Sequence, residues 1–476
     1  MVNITRRLAS MPDLLEEDIS ISNHSSETLR KSLGQHGYQL VDTPMLELTE
    51  LFLRKSGGGL ASQMYTFVEP GGERVSLRPE FTAAIIRMFL GRSEKEVFPV
   101  RWQYAGPVFR YLREQSTGLR QFTQIGAELI GADGPYHDAE ILALSCESLQ
   151  TLPLGELELS IGNVGIVQGL LSQFNVSERV SNFLLNNLSE LRKGNSSVKN
   201  VMEQARRIGI LVDKDSLTDV NGVALNTELE NLTRHLLAEP TTQSVGVRSV
   251  EEIRTRMLWK MRLSDSPENV ESCFTFARSL SMLHGQPESV IQDLGQLITT
   301  HGLKPVGLDD LNTTINVFRS HNLENVRVQL DLALVGKLSY YSGLVFEIRT
   351  IAEDTQSVLG GGGRYNDLIR ALGGSKDVPA LGFAYNLEQI VDSLRQDSIN
   401  ETDRKSTLIL VIPTTTQSYD HALRVARKLR QSGNSVEVSL VNPKGSVQKV
   451  YAKQRNIDTI VTVGSNGETQ QHSISN

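Results

Sequence analysis

The sequence predicts a mixed α/β (α+β) fold in which a core of strands and helices is interrupted by a helical insertion and followed by a small parallel α/β domain. Strand-like and helix-like segments alternate in residues 1–165, and strand-like segments return in residues 321–395. Residues 166–320, which separate them, are rich in Leu, Glu, Arg and Asn and contain pieces with helical spacing. Residues 407–476 alternate apolar strands with amphipathic helices, the pattern of a three-layer parallel unit.

The first part of the core begins with a helix whose Leu29 and Leu33 share one face. Further along, Pro70-Gly71-Gly72 indicates the turn of a hairpin. The predicted elements are a helix at 25–37, a strand at 38–44, hairpin strands at 64–68 and 74–78, a buried helix at 81–90, a strand at 121–131 and a helix from 138 onward.

The insertion is predicted to be mainly helical and to carry no recognisable chemistry. A polar stretch at 396–406 is predicted to link the core to the last domain. The remaining predicted elements are helices at 177–191 and 250–262, strands at 326–335, at 340–350 and from 357, a helix at 387–394, and then a strand at 407–413, a helix at 419–431, a strand at 435–441, a helix at 446–455 and a strand at 458–464.

The composition of the 476-residue chain indicates a cytoplasmic globular protein of two or three domains. Apolar residues make up 39% and charged residues 22%, and no apolar run reaches the roughly 18 residues that span a bilayer. No apolar segment typical of a secretory signal follows Arg6 and Arg7. Cys146 and Cys273 are far apart, which favours reduced thiols. Because the nine histidines show no zinc-ligand spacing, we expect neither a metal nor a cofactor.

The charge is unevenly distributed along the chain. Residues from Arg404 to the end contain ten Lys and Arg against four Asp and Glu, a balance of +6. The rest of the chain therefore carries −13 of a whole-chain net charge of −7. A basic terminal domain on an acidic body favours a nucleic-acid or acidic-protein partner, with a chance excess in a small domain as the alternative.

Several motifs carry a resemblance to a known family. Residues 77–82 read LRPEFT, and residues 104–128 begin YAGPVFR and end RQFTQIGAE. GGRY at residues 362–365 is followed by ALGFA at residues 380–384. In this order and spacing they resemble the histidyl branch of the class II aminoacyl-tRNA synthetases, and Asp42-Thr43-Pro44 with Glu47 resembles the first motif of that class. The resemblance covers essentially the whole chain and implies an antiparallel class II sheet core with a C-terminal anticodon-binding-like domain.

The resemblance implies a histidine-binding pocket built from a set of polar residues at matching positions. The carboxylates and the glutamine of the set are acceptors for the ligand ammonium, and the threonine adds a hydroxyl. The tyrosines would flank the imidazole and form hydrogen bonds with it, and the arginine is that of the second motif. The set consists of Glu80, Thr82, Arg110, Gln124, Glu128, Tyr341 and Tyr365.

A structural interpretation of individual residues stays open. Glu80 and Glu128 can pair with nearby arginines such as Arg78, and the tyrosines at 340–341 can belong to the sheet core. The glycine run at 360–363 lacks the Lys-Ser/Thr ending of a phosphate-binding loop, which favours tight backbone packing.

The positions at which the family contacts ATP are largely replaced. Leu112 stands where the family has a glutamate two residues after the second-motif arginine. Gly336 replaces the catalytic arginine of the histidyl-specific motif, and Ser339 replaces its aspartate. Gln389 replaces the third-motif arginine, and Asn386 stands in place of a glycine. Because amino-acid activation builds negative charge on the α-phosphate, losing one fixed donor typically costs about 3–4 kcal/mol of transition-state stabilisation, and we expect no catalytic residue here.

Retained amino-acid contacts and lost ATP contacts together imply a histidine receptor rather than a ligase. Within this superfamily the pattern resembles the regulatory subunit of ATP phosphoribosyltransferase, which joins a short catalytic subunit in histidine biosynthesis and mediates inhibition by histidine. We therefore expect a non-catalytic regulatory subunit that forms a homodimer through residues 42–51 within a hetero-oligomer, which the family suggests is a hetero-octamer. Many members of that group lack a C-terminal α/β domain, so two alternatives stay open: a tRNA-binding synthetase paralogue, and a divergent active histidyl-tRNA synthetase.

Overall fold

A computed structural model of the chain describes residues 6–54, 60–112, 118–211, 265–334, 340–351, 357–397, 408–439, 445–455 and 457–473. The chain divides into two compact units, Met1–Asp397 and Ser398–Asn476. Each unit has a hydrophobic core of its own. Within the ranges described, no helix is long and apolar enough to cross a membrane.

The first unit alternates strands and helices. Its strands are β1 (Gln39–Leu40), β2 (Leu46–Leu48), β3 (Thr66–Val68), β4 (Arg74–Leu77), β5 (Val100–Phe109), β6 (Gln121–Ile130), β7 (Leu157–Asn163), β8 (His284–Gly285), β9 (Val326–Asp331), β10 (Leu344–Thr350), β11 (Val358–Arg364) and β12 (Ala380–Asn386). Its helices are α1 (Glu16–Gln35), α2 (Thr49–Leu53), α3 (Thr82–Leu90), α4 (Pro135–Gln150), α5 (Val164–Leu171), α6 (Glu178–Arg192), α7 (Asn195–Arg207), α8 (Pro267–Ser281), α9 (Pro287–Thr300), α10 (Leu308–Arg319), α11 (Asn366–Ala371) and α12 (Leu387–Asp397).

Nine of these strands form one sheet in the order β1-β5-β6-β12-β11-β10-β7-β9-β8. The six strands from β5 to β7 are paired antiparallel, whereas β1 joins β5 and β9 joins β7 in parallel. A separate antiparallel sheet has the order β2-β4-β3. This arrangement confirms the predicted class II-like antiparallel core.

One face of the large sheet is covered by α1, α4 and α12. Leu29 and Leu33 of α1 are fully buried in the same core as Ile125 and Leu129 of β6. Fully burying one such side chain stabilises the fold by about 1.5–3 kcal/mol. Because successive strand residues point to opposite faces, Gln124 and its neighbours two residues along project from the other face, which α1, α4 and α12 leave uncovered. A second apolar core, formed by α3 with Trp102 and Tyr104 of β5, lies on that face, and the polar side chains of the site lie beside it.

The described part of the insertion is helical apart from β8, in agreement with the prediction for 166–320. Ser177 caps α6 by accepting a hydrogen bond from the N–H of Val180. At the other end of α6, Arg192 pairs with Asp331 of β9 through both carboxylate oxygens, which ties the insertion to the sheet. The helix predicted at 250–262 lies outside the described residues.

Several predicted bounds are wrong, and several strands of the first unit were not predicted, among them β5, β7 and β12. The first helix begins at Glu16, and the strand predicted at 38–44 shortens to β1. β5 contains Gly106-Pro107, a dipeptide that is more typical of turns than of strands. Beyond Gln103 this strand has only β6 beside it, so the missing N–H of the proline breaks no ladder bond.

The elements of the second unit are β13 (Leu408–Pro413), α13 (Tyr419–Gln431), β14 (Ser435–Val438), α14 (Gly445–Gln454), β15 (Thr459–Val463) and β16 (Thr469–Ser473). Its strands form one four-stranded sheet in the order β14-β13-β15-β16. The first three strands in this order are parallel, as predicted, and the antiparallel edge strand β16 was not predicted.

Candidate functional site

A cavity of about 180 Å³ lies on the face of the large sheet opposite α1, α4 and α12, over strands β6, β12, β11 and β10. Its volume is below the about 300–1,000 Å³ of pockets for drug-sized ligands, which suits a ligand of the size of an amino acid. Polar side chains from the core converge on it. The predicted site residues that line it are Glu80, Thr82, Arg110, Gln124, Tyr341 and Tyr365.

Glu80 is held at the start of α3. Its Oε1 accepts a hydrogen bond from the N–H of Ala83 at 3.2 Å, and its Oε2 accepts one from the hydroxyl of Tyr340 at 3.0 Å. The side chain is 3% exposed, and burial raises its pKa against the opposing attraction of Arg110. A carboxylate in this position remains short of a counter-charge, which a ligand ammonium would supply.

Glu128 lies behind the cavity wall rather than on it, in a ring of hydroxyl groups. Its Oε1 accepts hydrogen bonds from Thr82 at 2.9 Å and Tyr104 at 3.1 Å, and its Oε2 accepts one from Tyr365. Burial raises its pKa to about 8, although the three hydrogen bonds act in the opposite direction. The contact of Glu128 with the ligand ammonium stays a prediction, and in the empty site its carboxylate holds the hydroxyls of Thr82 and Tyr365.

Gln124 and Arg110 complete the polar end of the cavity. Gln124 is 8% exposed, and its Oε1 has no hydrogen-bond partner among the described residues. The Nε of Arg110 donates to the carbonyl of Pro79 at 2.9 Å, and its guanidinium lies 5.1 Å from the centre of the Phe122 ring. Burial lowers the pKa of Arg110, and Glu80 opposes that shift. An acceptor pair beside a fixed guanidinium matches the ammonium and the carboxylate of an amino acid.

The glycine run forms the floor of the site. The carboxylate of Glu128 occupies the space above Gly382, where any side chain would collide with it. A Cβ on Gly363 would lie 2.9 Å from the Tyr341 ring, and a Cβ on Gly361 would lie 3.4 Å from the Cγ of Glu347. These glycines therefore let functional side chains lie flat on the sheet, which agrees with the predicted backbone packing.

The alternative in which Arg78 neutralises Glu80 or Glu128 is wrong. Arg78 donates to the carbonyl of Pro107 at 2.9 Å, to the carbonyl of Thr43 at 2.6 Å, and to Asp42 at 3.3 Å. In the part of the chain that the structure describes, neither glutamate has an Arg or Lys nitrogen within ion-pair distance.

Two of the replaced ATP positions are described by the structure, and neither of them lines this cavity. Leu112 offers its carbonyl to Arg120 at 3.0 Å. Gln389 lies in the first turn of α12, where its N–H donates to the side chain of Asn386 at 3.2 Å. Neither Leu112 nor Gln389 is among the described residues that line the cavity. Gly336 lies outside the described residues, so its predicted replacement of an arginine stays a statement about sequence.

Three polar side chains in or beside the site were not predicted as site residues. Tyr340 was assigned to the sheet core as an alternative, and it is indeed 4% exposed, yet its hydroxyl also holds Glu80. Tyr104, stacked on Phe81 at 4.4 Å between ring centres, was quoted only as part of a motif. Glu347 lines the cavity from β10 and gave no signal beyond an alternating apolar–polar strand pattern.

Comparison with known proteins identifies relatives along most of the chain. The family model described as Histidyl-tRNA synthetase matches residues 10–257 and 199–390. A histidine–tRNA ligase of Methanocaldococcus jannaschii is 28% identical over 452 residues, which are 95% of this chain and 90% of that protein. A histidine–tRNA ligase of Pyrococcus furiosus is 26% identical over 460 residues, 96% of this chain and 91% of the relative.

Solved structures show the same fold. A Bacillus halodurans protein named ATP phosphoribosyltransferase regulatory subunit/histidyl-tRNA synthetase aligns with a TM-score of 0.64 and 21% identity, over 96% of this chain and 98% of that chain. A histidyl-tRNA synthetase of Nostoc sp. aligns with a TM-score of 0.64 and 18% identity, over 99% and 97% of the two chains.

Proposed function

Since the chain belongs to the histidyl-tRNA synthetase family, we propose that it is a histidine-binding member without ligase activity, which serves as the regulatory subunit of ATP phosphoribosyltransferase. One observation carries this proposal. The acceptors and the guanidinium for an amino acid converge on one cavity, while neutral Leu112 and Gln389 stand where the family has charged contacts to ATP.

The chemistry of activation explains why these replacements matter. Attack of the amino-acid carboxylate on ATP concentrates negative charge on the α-phosphate, and fixed cations must meet it. Gln389 offers a neutral amide where the family has an arginine, and Leu112 offers no polar group where the family has a glutamate that helps to hold the nucleotide. Because losing one fixed cation alone costs about 3–4 kcal/mol, adenylate formation would slow by at least about two orders of magnitude. Binding of histidine itself needs none of these groups.

The proposed homodimer uses a surface other than the cavity, on the small sheet β2-β4-β3. Met45, Leu46 and Leu48 around β2 and Phe67 and Val68 of β3 are between 45% and 67% exposed. A cluster of large apolar side chains on one small sheet is typical of a protein–protein interface. We assign it to the homodimer expected through residues 42–51, which leaves other faces for the short catalytic subunit.

Reconstitution with a short-form ATP phosphoribosyltransferase catalytic subunit tests the proposal. We expect the mixture to be more active than the catalytic subunit alone and to be inhibited by histidine. Gln124→Met in this chain should keep the activation and weaken the inhibition, because only the receptor is damaged. If the mixture shows neither activation nor sensitivity to histidine, the regulatory role is wrong.

A second candidate function is tRNA ligation or tRNA binding, which the names of the relatives favour. Both ligases are matched over at least 95% of this chain, a share that includes most of the C-terminal unit. In that unit, α13 exposes Arg424, Arg427 and Lys428 along the helix. Binding of tRNA that weakens steeply with salt, followed by formation of histidyl-tRNA, would establish this candidate in place of the first.

A further inference from the structure

Two glutamates lie at opposite sides of the glycine floor, Glu347 on the cavity wall and Glu128 behind the wall. Glu128 is on β6 and Glu347 on β10, and both project from the uncovered face, because cross-strand pairing aligns Glu128 with Gly382 and Glu347 with Gly361. Between them lie β12 and β11, whose residues on this face are Gly382, Ala384, Gly361 and Gly363. No side chain larger than a methyl group thus rises from the floor between the two carboxylates.

Both side chains lean inward over this floor. The carboxylate of Glu128 lies above Gly382, and the Cγ of Glu347 lies 3.4 Å from the position of a Cβ on Gly361. Gly382 and Gly361 are on adjacent strands, and Gly361 pairs with Ala384, which is two residues from Gly382. One strand spacing across the sheet and a rise of two residues along it separate the two glycines by about 8 Å. An imidazole ring with a hydrogen bond of about 2.9 Å at each nitrogen also spans about 8 Å.

The remaining contacts of Glu347 leave it one free acceptor. Arg349 donates to Oε2 at 2.9 Å, and within the described residues Oε1 receives no hydrogen bond. The side chain is 18% exposed, so a ligand can reach it from the cavity. The walls beside it are the apolar Val345 and Val358 and the ring of Tyr341, which suit the flat faces of an aromatic ring.

We propose that Glu347 is a specificity-determining residue that accepts a hydrogen bond from the imidazole of bound histidine, on the side of the ring opposite Glu128 and its hydroxyls. This inference rests on the proposed histidine site and adds a recognition element to it. With the ammonium at Glu80 and Gln124, the ring points along the glycine floor towards β10. A site with an acceptor at each ring nitrogen selects an imidazole in which both nitrogens carry hydrogen, and it disfavours aromatic rings without an N–H.

The alternative is that Glu347 only neutralises Arg349, which would make it a structural partner on the sheet surface. Glu158 provides a matched control, since it lies directly opposite Arg349 on β7, on the same face of the sheet, and is not among the described lining residues. A purely structural role predicts that loss of the Glu347 carboxylate lowers stability and leaves the choice of ligand as it is in Glu158→Gln. A recognition role predicts that only Glu347 affects the choice of ligand.

The test is calorimetric titration of the full-length chain with histidine and with its two ring-N-methylated forms. We expect the wild-type protein and Glu158→Gln to bind histidine at least tenfold more tightly than both methylhistidines. Glu347→Gln should weaken histidine binding at least tenfold with an unchanged melting temperature. Glu347→Ala, which also makes room, should bind one of the methylhistidines as tightly as histidine.

The outcomes separate the two levels of inference. If the wild-type protein binds histidine and both Glu347 variants keep the affinity within twofold, the role of Glu347 is wrong while the histidine site stands. Equal weakening for all three ligands, with a lowered melting temperature, would also overturn it in favour of the structural role. If the wild-type protein binds no histidine, the proposed function fails and this inference fails with it.

Discussion

Gln124 carries a buried hydrogen-bond acceptor that is unsatisfied in the protein without ligand. Its side chain is buried, and its Oε1 has no hydrogen-bond partner in the described part of the chain. Leaving a buried acceptor unsatisfied costs about 1–3 kcal/mol. A ligand ammonium that donates a hydrogen bond to this oxygen would remove that cost. The free energy regained in this way would add to the free energy of ligand binding.

This gives a prediction in which stability and binding change in opposite directions. Gln124→Met removes the unsatisfied acceptor at similar volume, so we expect an unchanged or higher melting temperature without ligand. The same change should weaken histidine binding about tenfold, the equivalent of one hydrogen bond to a charged group. Thermal shift titration measures both quantities. Gln103→Met, a buried glutamine on β5 outside the cavity, is the control and should leave histidine affinity unchanged.

Glu128 should make stability depend on pH. Its pKa is raised from 4.5 to about 8 in the folded chain, so folding favours the protonated acid. The stability from this group is fully present below pH 4.5 and is lost as the pH rises through 8. Glu128→Gln, which mimics the neutral acid, should therefore flatten the profile.

Urea unfolding at pH 5.5 and pH 7.5 without histidine measures this effect. We expect the wild-type protein to lose about 2.5 kcal/mol more than Glu128→Gln between these values, since the slope is about 1.4 kcal/mol per pH unit. Parallel profiles for the two proteins would mean that Glu128 is ionised throughout. Glu128→Ala is a poor probe of binding alone, because it leaves three buried hydroxyls without their acceptor.

Residue identity alone could locate the site but could not assign every role. Glu80, Thr82 and Gln124 were predicted from motif resemblance, and the structure places them on one cavity. The same resemblance could not tell that Glu128 lies behind the cavity wall, since a difference of a few ångströms in depth leaves no trace in the sequence. Glu347 was not predicted because its place in the site depends on strand register. Only the pairing of β10 with β11 puts Glu347 beside Gly361 on the floor of the cavity.

At the scale of elements, the glycine run of β11 forms a flat part of the sheet and is not a loop. Regular antiparallel pairing continues through Gly360–Gly363 on both sides, to β10 and to β12. Side chains at these positions would fill the cavity or push strands apart. The strand is therefore maintained by its neighbours in spite of the low strand propensity of glycine.

Two glycine substitutions should have opposite effects on stability. In Gly363→Ala the new methyl group would meet the Tyr341 ring at 2.9 Å and the backbone of Leu344, so we expect a loss of about 1–3 kcal/mol together with weaker histidine binding. Gly295 lies within α9 and has open space around it. There Gly295→Ala should stabilise the protein by up to about 1 kcal/mol. Chemical denaturation of both variants measures the change in the free energy of unfolding. Similar changes at the two positions would contradict the claim that the glycine floor has no room for side chains.

Elements with local signals were the easiest to predict. The hairpin of β3 and β4 and the helix α3 agree with the predicted segments to within two residues, because turn glycines and a continuous apolar run mark them. β5 was missed because its strand character depends on tertiary pairing with β6, which overrides the local turn signal of Gly106-Pro107.

At the scale of the whole molecule, the first unit contains every described residue of the cavity, so it should bind histidine alone. The chain is best ended at Asp397 rather than after Leu394, because α12 continues to Asp397 and its Arg395 pairs with Asp18 of α1. We expect residues 1–397 to fold and to bind histidine with an affinity within threefold of the full chain. A shortened protein that unfolds cooperatively yet binds no histidine would show that the second unit takes part in the site.

The central claim is that this chain binds histidine but does not activate it. The most direct measurement is histidine-dependent exchange between ATP and pyrophosphate, made on the same preparation that is shown by calorimetry to bind histidine and to be free of the host synthetase. We predict saturable histidine binding with exchange no greater than in the absence of histidine, because the cations that stabilise the adenylate transition state are replaced. Robust histidine-dependent exchange would contradict the claim and would identify the chain as an active histidine–tRNA ligase.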